Sequence, residues 1–249
     1  MKMFIFAKRN TKEILRDPMN LIFGLGFPLV LLVLLSVINA AIPAEAENTM
    51  FQISNLAPGL AAFGSVFMAL FAGMLLSKDR TSSFLMRLFT SPMGAADFIA
   101  GYSLPMLVLT VAQSAITFLA AGAFGLPINA NILAGIAITT LVSLQFIGTG
   151  LFFGSFLNDK AVGGVCGALL TNVVGWLSGV FIPIDLIGGV FKKITNLLPY
   201  YHSVEAIKAA LSGHFSDIFP HLAVVMGYTV LILALAIIVF HHNMNGENV

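Results

Sequence analysis

FIAGYSLPMLVLTVAQSAITFLAAGAFGLPINANILAGIAITTLVSLQFIGTGLFFGSFLN, residues 98–158, contains no Asp, Glu, Lys or Arg. A bilayer's hydrocarbon core is about 30 Å thick and takes roughly 20 apolar helical residues to cross. The run therefore holds two crossings, and Gly125-Leu126-Pro127-Ile128-Asn129 has the turn chemistry to separate them. Its apolar positions are continuous and do not alternate with period two, and barrel strands would be only about 9–11 residues long, so the crossings read as helices. Working outward, uncharged stretches of the same size complete a set of six spans, at approximately 21–42, 58–76, 98–124, 132–157, 161–182 and 221–240.

Composition agrees. Over 249 residues, 58% are apolar and 9% charged, with a net charge of +1, against about 25% charged residues in soluble domains. This is an integral membrane protein, and most of its length is used in crossing the bilayer. Nothing in so even a charge offers a face for nucleic acid. The one cysteine, Cys166, excludes an internal disulfide. His202, His214, His221, His241 and His242 have no cysteine or carboxylate at a recognised metal spacing, so no metal and no catalytic group are expected. A G-x-x-x-x-G-K-[ST] phosphate loop is absent, so the chain is not expected to hold ATP. The first apolar stretch exceeds the about 7–15 residues of a signal-peptide core and reads as a retained membrane helix.

Six spans place both ends on one side of the membrane. The ends and the even connections carry Lys2, Lys8, Arg9, Lys12, Arg16, Lys78, Arg80, Arg87 and Lys160, while the other side carries Lys192, Lys193 and Lys208. By the positive-inside rule both termini are cytoplasmic. Glu45 and Glu47 then fall in a short acidic outer connection. Residues Lys2–Arg16 read as an interfacial helix with Phe4, Ala7, Thr11 and Ile14 along one side, stopped by Asp17-Pro18. Between spans two and three, Phe84, Leu85, Leu88 and Phe89 form one apolar stripe of a short helix; Arg87 lies off it and Ser91-Pro92 ends it. The outer segment 183–220 has helical periodicity at 184–197 and 203–211, which suggests two short helices dipping back against the bundle.

Four motifs carry a resemblance. Lys12-Glu13-Ile14-Leu15-Arg16-Asp17-Pro18, Arg87-Leu88-Phe89-Thr90-Ser91-Pro92, Leu177-Ser178-Gly179-Val180-Phe181-Ile182-Pro183 and Leu198-Pro199-Tyr200-Tyr201-His202-Ser203-Val204-Glu205-Ala206-Ile207-Lys208 occur in this order across nearly the whole chain. Together the chain resembles the type-2 exporter permeases of the ATP-binding-cassette superfamily. In that family a Gly-Thr pair usually precedes the Leu of the second motif; here Ser83 and Phe84 stand there. The resemblance implies a single multi-pass permease domain in a bacterial cell membrane, pairing with a second copy and with a cytoplasmic ATPase subunit that holds ATP and Mg. It also implies that Leu85, Arg87, Leu88, Phe89 and Pro92 belong to a coupling helix seated on that subunit, and that Lys2–Arg16 is the connecting helix beside it. Glu205, an acid in a largely apolar outer segment, is the candidate for closing an outer gate.

No Asp, Glu, Lys or Arg sits within the core of any span, although such residues are what proton- and sodium-coupled carriers usually use. This disfavours a channel or ion-coupled carrier; a non-transporting sensor or immunity protein is the other alternative. Gln113, Ser114, Thr117, Thr139, Thr140, Ser143, Gln145, Thr171 and Asn172 are expected to bond helix to helix, at about 0.6–2 kcal/mol each. Gly163, Gly167, Thr171, Gly175 and Gly179 place a small residue at every fourth position of span five, a stripe suited to close helix packing. The resemblance sets spans two and five beside a central path, with Phe63, Phe67, Asn172 and Trp176 as candidates to line it. The cargo would be a drug, a peptide or a lipid-like molecule.

Overall fold

The computed structural model describes residues 2–43, 51–89, 92–182 and 184–246, with the side chains at 83, 86, 89, 185, 186, 245 and 246 outside that description. Glu45, Glu47, Thr90, Ser91 and Pro183 lie outside the described residues, as does the Phe89 side chain. The described chain is helical. In order it forms α1 (Lys2–Arg16), α2 (Pro18–Ala41), α3 (Ile53–Thr81), α4 (Ser83–Phe89), α5 (Ala95–Gly122), α6 (Asn131–Gly154), α7 (Asp159–Leu177), α8 (Ile184–Ile187), α9 (Gly189–Leu197), α10 (Pro199–Ser212) and α11 (Phe215–Gly246). Six of these, α2, α3, α5, α6, α7 and α11, are long and apolar enough to cross a membrane.

The boundaries follow local chemistry. Asp17 stops α1 and caps α2, its carboxylate accepting from the Met19 amide at 3.0 Å while Pro18 supplies the first helical φ. Gly125, at φ +102°, turns the chain between α5 and α6 in the segment where the sequence predicts the break. The Asn158 side chain accepts from the Ala161 amide at 2.9 Å to start α7. The span bounds move in both directions: α3 runs from Ile53 to Thr81 instead of 58–76, while α6 stops at Gly154 and α7 at Leu177, short of the expected 157 and 182. A hydropathy reading stops at Lys78-Asp79-Arg80, whereas helical backbone continues through charge.

The centre of the bundle is α3. The most apolar window of α3 is 89% buried, against 22% for α2 and 17% for α11. A helix enclosed on all sides needs neighbours that come close, and α3 provides for this with Ala57, Ala61, Ser65, Ala69, Gly73 and Ser77 at every fourth position, all buried. The most extensive partner is α6. A Cβ built on Gly150 would run into the Ala69 carbonyl, and one on Gly154 would stand 2.5 Å from the Gly73 oxygen. The small-residue crossing that fixes the fold is therefore α3 against α6. The outer helices instead present apolar side chains outward, Val30, Leu34 and Val37 on α2 and Val230 and Ile238 on α11, as lipid contact requires.

The span-five stripe is put to mixed use. Gly167 faces Leu70 and Gly175 faces Phe181 and Phe63, while Gly163 meets nothing within 4 Å among the described residues. The helix ends at Leu177, so Gly179 belongs to the following turn, at φ +80°. Residues Gly163–Leu170 are π-helical, and the Thr171 hydroxyl donates to the Cys166 carbonyl five residues back, at 3.3 Å.

Two sequence expectations are corrected. The buried side of α1 is Phe6, Ala7, Asn10 and Ile14, while Phe4 is exposed, because a buried Asn10 satisfies its amide on the Gly101 carbonyl at 3.1 Å. Polar residues within the spans bond mostly along their own helix. Ser114, Thr139 and Thr140 donate to the carbonyls of Thr110, Gly135 and Ile136, and Asn172 donates to Ala168, at 2.7–2.8 Å. A carbonyl four residues back is always within reach of a short side chain, so no partner helix is needed.

After α7 the chain folds back along the bundle. Asn131, at the start of α6, donates to the Leu211 carbonyl at 3.3 Å, and Phe146, in the second half of α6, stacks on Tyr200 at 6.0 Å, so α10 lies beside α6 from its start to Phe146.

Gly150→Val forces the α3–α6 crossing apart and should destabilise the fold by about 3 kcal/mol, the upper end for overpacking, because backbone has to move. Gly163→Ala, which adds its methyl to open space, should leave the melting temperature in detergent unchanged. Equal behaviour of the two variants would contradict the crossing.

Candidate functional site

Two arrangements stand out, one at the end of α3 and one along its length. Asp79, in the last turn of α3, is buried although charged. Arg9 of α1 reaches it with both guanidinium nitrogens, Nη1 to Oδ2 at 2.5 Å and Nη2 to Oδ1 at 2.9 Å. The Tyr102 hydroxyl of α5 donates to the same Oδ2 at 2.8 Å. Arg9 also bonds Asn10 and pairs with Glu13, and its guanidinium lies 4.2 Å from the centre of the Phe84 ring of α4. One arginine thus joins α1, α3, α4 and, through the shared carboxylate, α5.

The geometry is a planar fork on a carboxylate, with the guanidinium over an aromatic face, a combination lysine cannot reproduce. Burial works against the charge on Arg9, but the hydrogen bonds to Asp79 and its negative charge outweigh that and hold the guanidinium above its ordinary pKa. The Arg9 guanidinium therefore stays charged throughout the physiological pH range. Phe6 packs beneath it, edge-on to Phe98 and Tyr102 at 5.5 and 4.9 Å. Beside the clamp, the Ser77 hydroxyl and Arg80 Nη2 both donate to the Leu157 carbonyl at 2.8 Å, which fastens the α6–α7 connection to the same end of α3.

Next to this clamp lies α4. Leu85 is fully buried and anchors the helix in the core, and Leu88 is half-buried against the same cluster. Arg87 and Pro92 are exposed.

Farther along α3, a cleft of about 360 Å³ opens between α3 and α7, lined by Phe63, Thr171, Asn172, Gly175, Trp176 and Phe181. It brings together Phe63, Asn172 and Trp176. Phe63 forms the floor and Trp176 an exposed wall. Phe67 sits one turn along, edge-on to Phe63 at 6.2 Å, and packs against Phe27 at 5.4 Å. Phe71 continues the series at 6.4 Å from Phe67. This aromatic ladder runs along α3 from the cleft toward Asp79.

Glu205 is half-buried on α10, within electrostatic reach of His221. His202 and His221 meet with their Nδ1 atoms 2.8 Å apart, and His202 Nε2 lies 2.8 Å from the Asn196 carbonyl. A carbonyl can only accept, so His202 carries its hydrogen on Nε2, and its Nδ1 accepts from His221. Among the described residues no group of three or more metal-ligating side chains forms. Sequence reasoning missed both Arg9–Asp79 and this histidine pair. The available signal for the first was a lone acid between Lys78 and Arg80; nothing in the sequence pairs the histidines.

Removing one partner of the clamp leaves the other charge poorly paired. Arg9→Met or Asp79→Asn alone should cost more than the about 1 kcal/mol of an exposed pair and less than the about 3–5 kcal/mol of a fully buried one, because Arg9 is about one-third exposed. The double variant should melt above either single one, and strictly additive losses would show that the two residues act independently.

The chain matches the family described as ABC-2 type transporter over residues 1–212. It is also 39% identical over 56 residues to nodulation protein J of Neorhizobium galegae, a match spanning 22% of this chain and 21% of that protein's length. With six helices able to cross a bilayer, it is a multi-pass membrane protein. By the extent of the family match, the chain belongs to the ABC-2 type transporter family, the membrane component of a transporter.

Proposed function

We propose that this chain is one membrane-spanning half of an exporter that moves an apolar or amphipathic molecule, driven by ATP hydrolysed with Mg on a separate cytoplasmic subunit. Two copies pair, each seated on an ATPase subunit, with both termini and the basic end of the bundle facing the cytoplasm. In this reading α4 is the coupling helix and α1 the connecting helix beside it.

The observation that carries the proposal is the Arg9–Asp79 clamp. It ties α1 and α4 to the end of the same helix whose Phe63 floors the cleft. A displacement of α4 by the ATPase would reach α3 through Arg9 and Phe84, and reach the cleft along the Phe71–Phe67–Phe63 ladder. Packed helices transmit such shifts as discrete rearrangements because their cores do not deform continuously. Phe63, Phe67 and Trp176 would offer aromatic faces to apolar cargo, and Asn172 would offer one amide. Glu205 would act where α10 closes the outer end of the path.

Arg87→Glu combined with Leu88→Asp should leave membrane insertion intact yet abolish substrate-stimulated ATPase activity in the assembled complex. Normal stimulation in that variant would refute the role given to α4. Glu205→Ala, matched for expression, should reduce transport without lowering ATPase-subunit binding; unchanged transport would remove Glu205 from the gate.

A further inference from the structure

Three kinds of side chain divide the circumference of α9. At 3.6 residues per turn, Val190, Ile194 and Leu197 stand at i, i+4 and i+7 and form one apolar stripe; all three are exposed, Val190 at 72% and Leu197 at 69%. Lys192, Lys193 and Asn196 occupy the next sector and are exposed as well. The remaining sector faces the protein, with Thr195 fully buried and Phe191 half-buried. Hydrogen bonds to the neighbouring helices fix the depth of α9. Asn243 of α11 donates to the Ser155 carbonyl at 2.6 Å, at the end of the bundle that carries Asp79. From there His221 lies about 33 Å back along α11 at 1.5 Å per residue, close to the thickness of about 30 Å of the hydrocarbon core, so it marks the far boundary. His202 meets His221 at that level, and its Nε2 donates to the Asn196 carbonyl at 2.8 Å. Tyr228, about 10 Å farther in, donates to the Leu197 carbonyl at 3.1 Å. The C-terminal half of α9 is thereby held within about 10 Å of the boundary, the depth at which an amphipathic helix lies in a leaflet.

Surroundings and charge specify the occupant. Leu231, one turn beyond Tyr228, is exposed and with Val230 belongs to the lipid-facing flank of α11, so the stripe of α9 continues a surface already turned to acyl chains. A lysine beside such a stripe runs its four-carbon stem along the apolar surface and places its ammonium among water and headgroups. Lys192 and Lys193 are also two of the three basic residues on the side of the membrane where the sequence otherwise has no Lys or Arg, so their charge calls for an anion there. We propose that α9 is a docking surface for an anionic phospholipid in the leaflet remote from Asp79, its acyl chains against Val190, Ile194 and Leu197 and its phosphate against Lys193, with Lys192 adding charge from the same polar sector. The site does not depend on the ATPase, on the cleft beside α3 or on the direction of transport. Because α9 is bonded to His202 of α10 and Tyr228 of α11, a lipid held on it sets where α10 begins within the leaflet.

The test uses the full chain in nanodiscs of equal parts phosphatidylcholine and phosphatidylglycerol. Val190→Cys, Ile194→Cys and Asn196→Cys, one at a time, would each carry a nitroxide, while Cys166 is fully buried and stays unlabelled. The labels at 190 and 194 should be relaxed by oxygen, which dissolves among acyl chains, and the label at 196 by a water-soluble nickel complex. Protection of 190 and 194 from both reagents, or spin coupling between copies there, would put protein over the stripe and overturn the proposal. Nickel access at all three positions would place α9 in water and overturn it as well. Phosphatidylglycerol with a photoactivatable headgroup should label the α9 peptide, as read by mass spectrometry. Lys193→Gln, at an exposed position, should fold and lower that labelling about five-fold, the worth of one cation at a charged membrane surface, and Lys193→Arg should retain it. Equal labelling of Lys193→Gln and wild type, or displacement of the label by inorganic phosphate, would overturn the assignment to a lipid phosphate.

Discussion

The enclosure of α3 is the constraint on which the other features depend. A membrane offers no hydrophobic drive for one apolar helix to bury itself among others, so association rests on close packing and lost lipid contact. Ala69 and Gly73 on α3 against Gly150 and Gly154 on α6 bring the two backbones into direct contact. With α3 held there, α2, α5, α7 and α10 pack around it, and its two ends become fixed points. One of those ends carries Asp79. A carboxylate so placed has to be paired, and the pairing reaches across to α1 and α5. The packing of small residues thereby determines where the charged clamp can exist.

From this core the charge distribution acquires a mechanical sense. Arg9, Lys78, Arg80 and Lys160 gather at the end of the bundle where α1, α4 and the α6–α7 connection meet, while Asn131 and Leu211 join α6 and α10 at the opposite end. Between the two ends the cleft beside α3 contains aromatic rings and one amide, without charge. On the proposed reading, force enters at the charged end and cargo passes along the apolar middle, with α3 common to both. The π-helical stretch of α7, wider and less regularly bonded than an α-helix, leads directly into the turns whose Thr171, Asn172 and Trp176 line that cleft.

Much of the fold was legible because lipid imposes a simple rule on composition. The uncharged run 98–158, the glycine turn at Gly125 and the Asp17-Pro18 stop each mark a boundary that follows from local chemistry alone. The interior was less legible. The stripe of small residues in span five is plain in the sequence, but the decisive one lies in α3 and α6, where Ala and Ser share the role with Gly and so give a weaker signal. Asn10 looks like a surface residue until Gly101 supplies its acceptor. Arg9 and Asp79 are 70 positions apart, and no periodicity links residues that meet only through the arrangement of three helices. Of the path candidates, Phe63, Asn172 and Trp176 converge on one cleft, whereas Phe67 belongs to the ladder behind it.

The central claim is that this permease works as half of an ATP-driven pair, and its assembly tests that most directly. The tagged chain, extracted from its native membranes in mild detergent after crosslinking, would be weighed by native mass spectrometry. The account predicts two copies of the chain carrying two copies of a nucleotide-binding ATPase. A single chain, or a chain joined to a partner without ATPase activity, recovered in good yield under the same crosslinking, would contradict it.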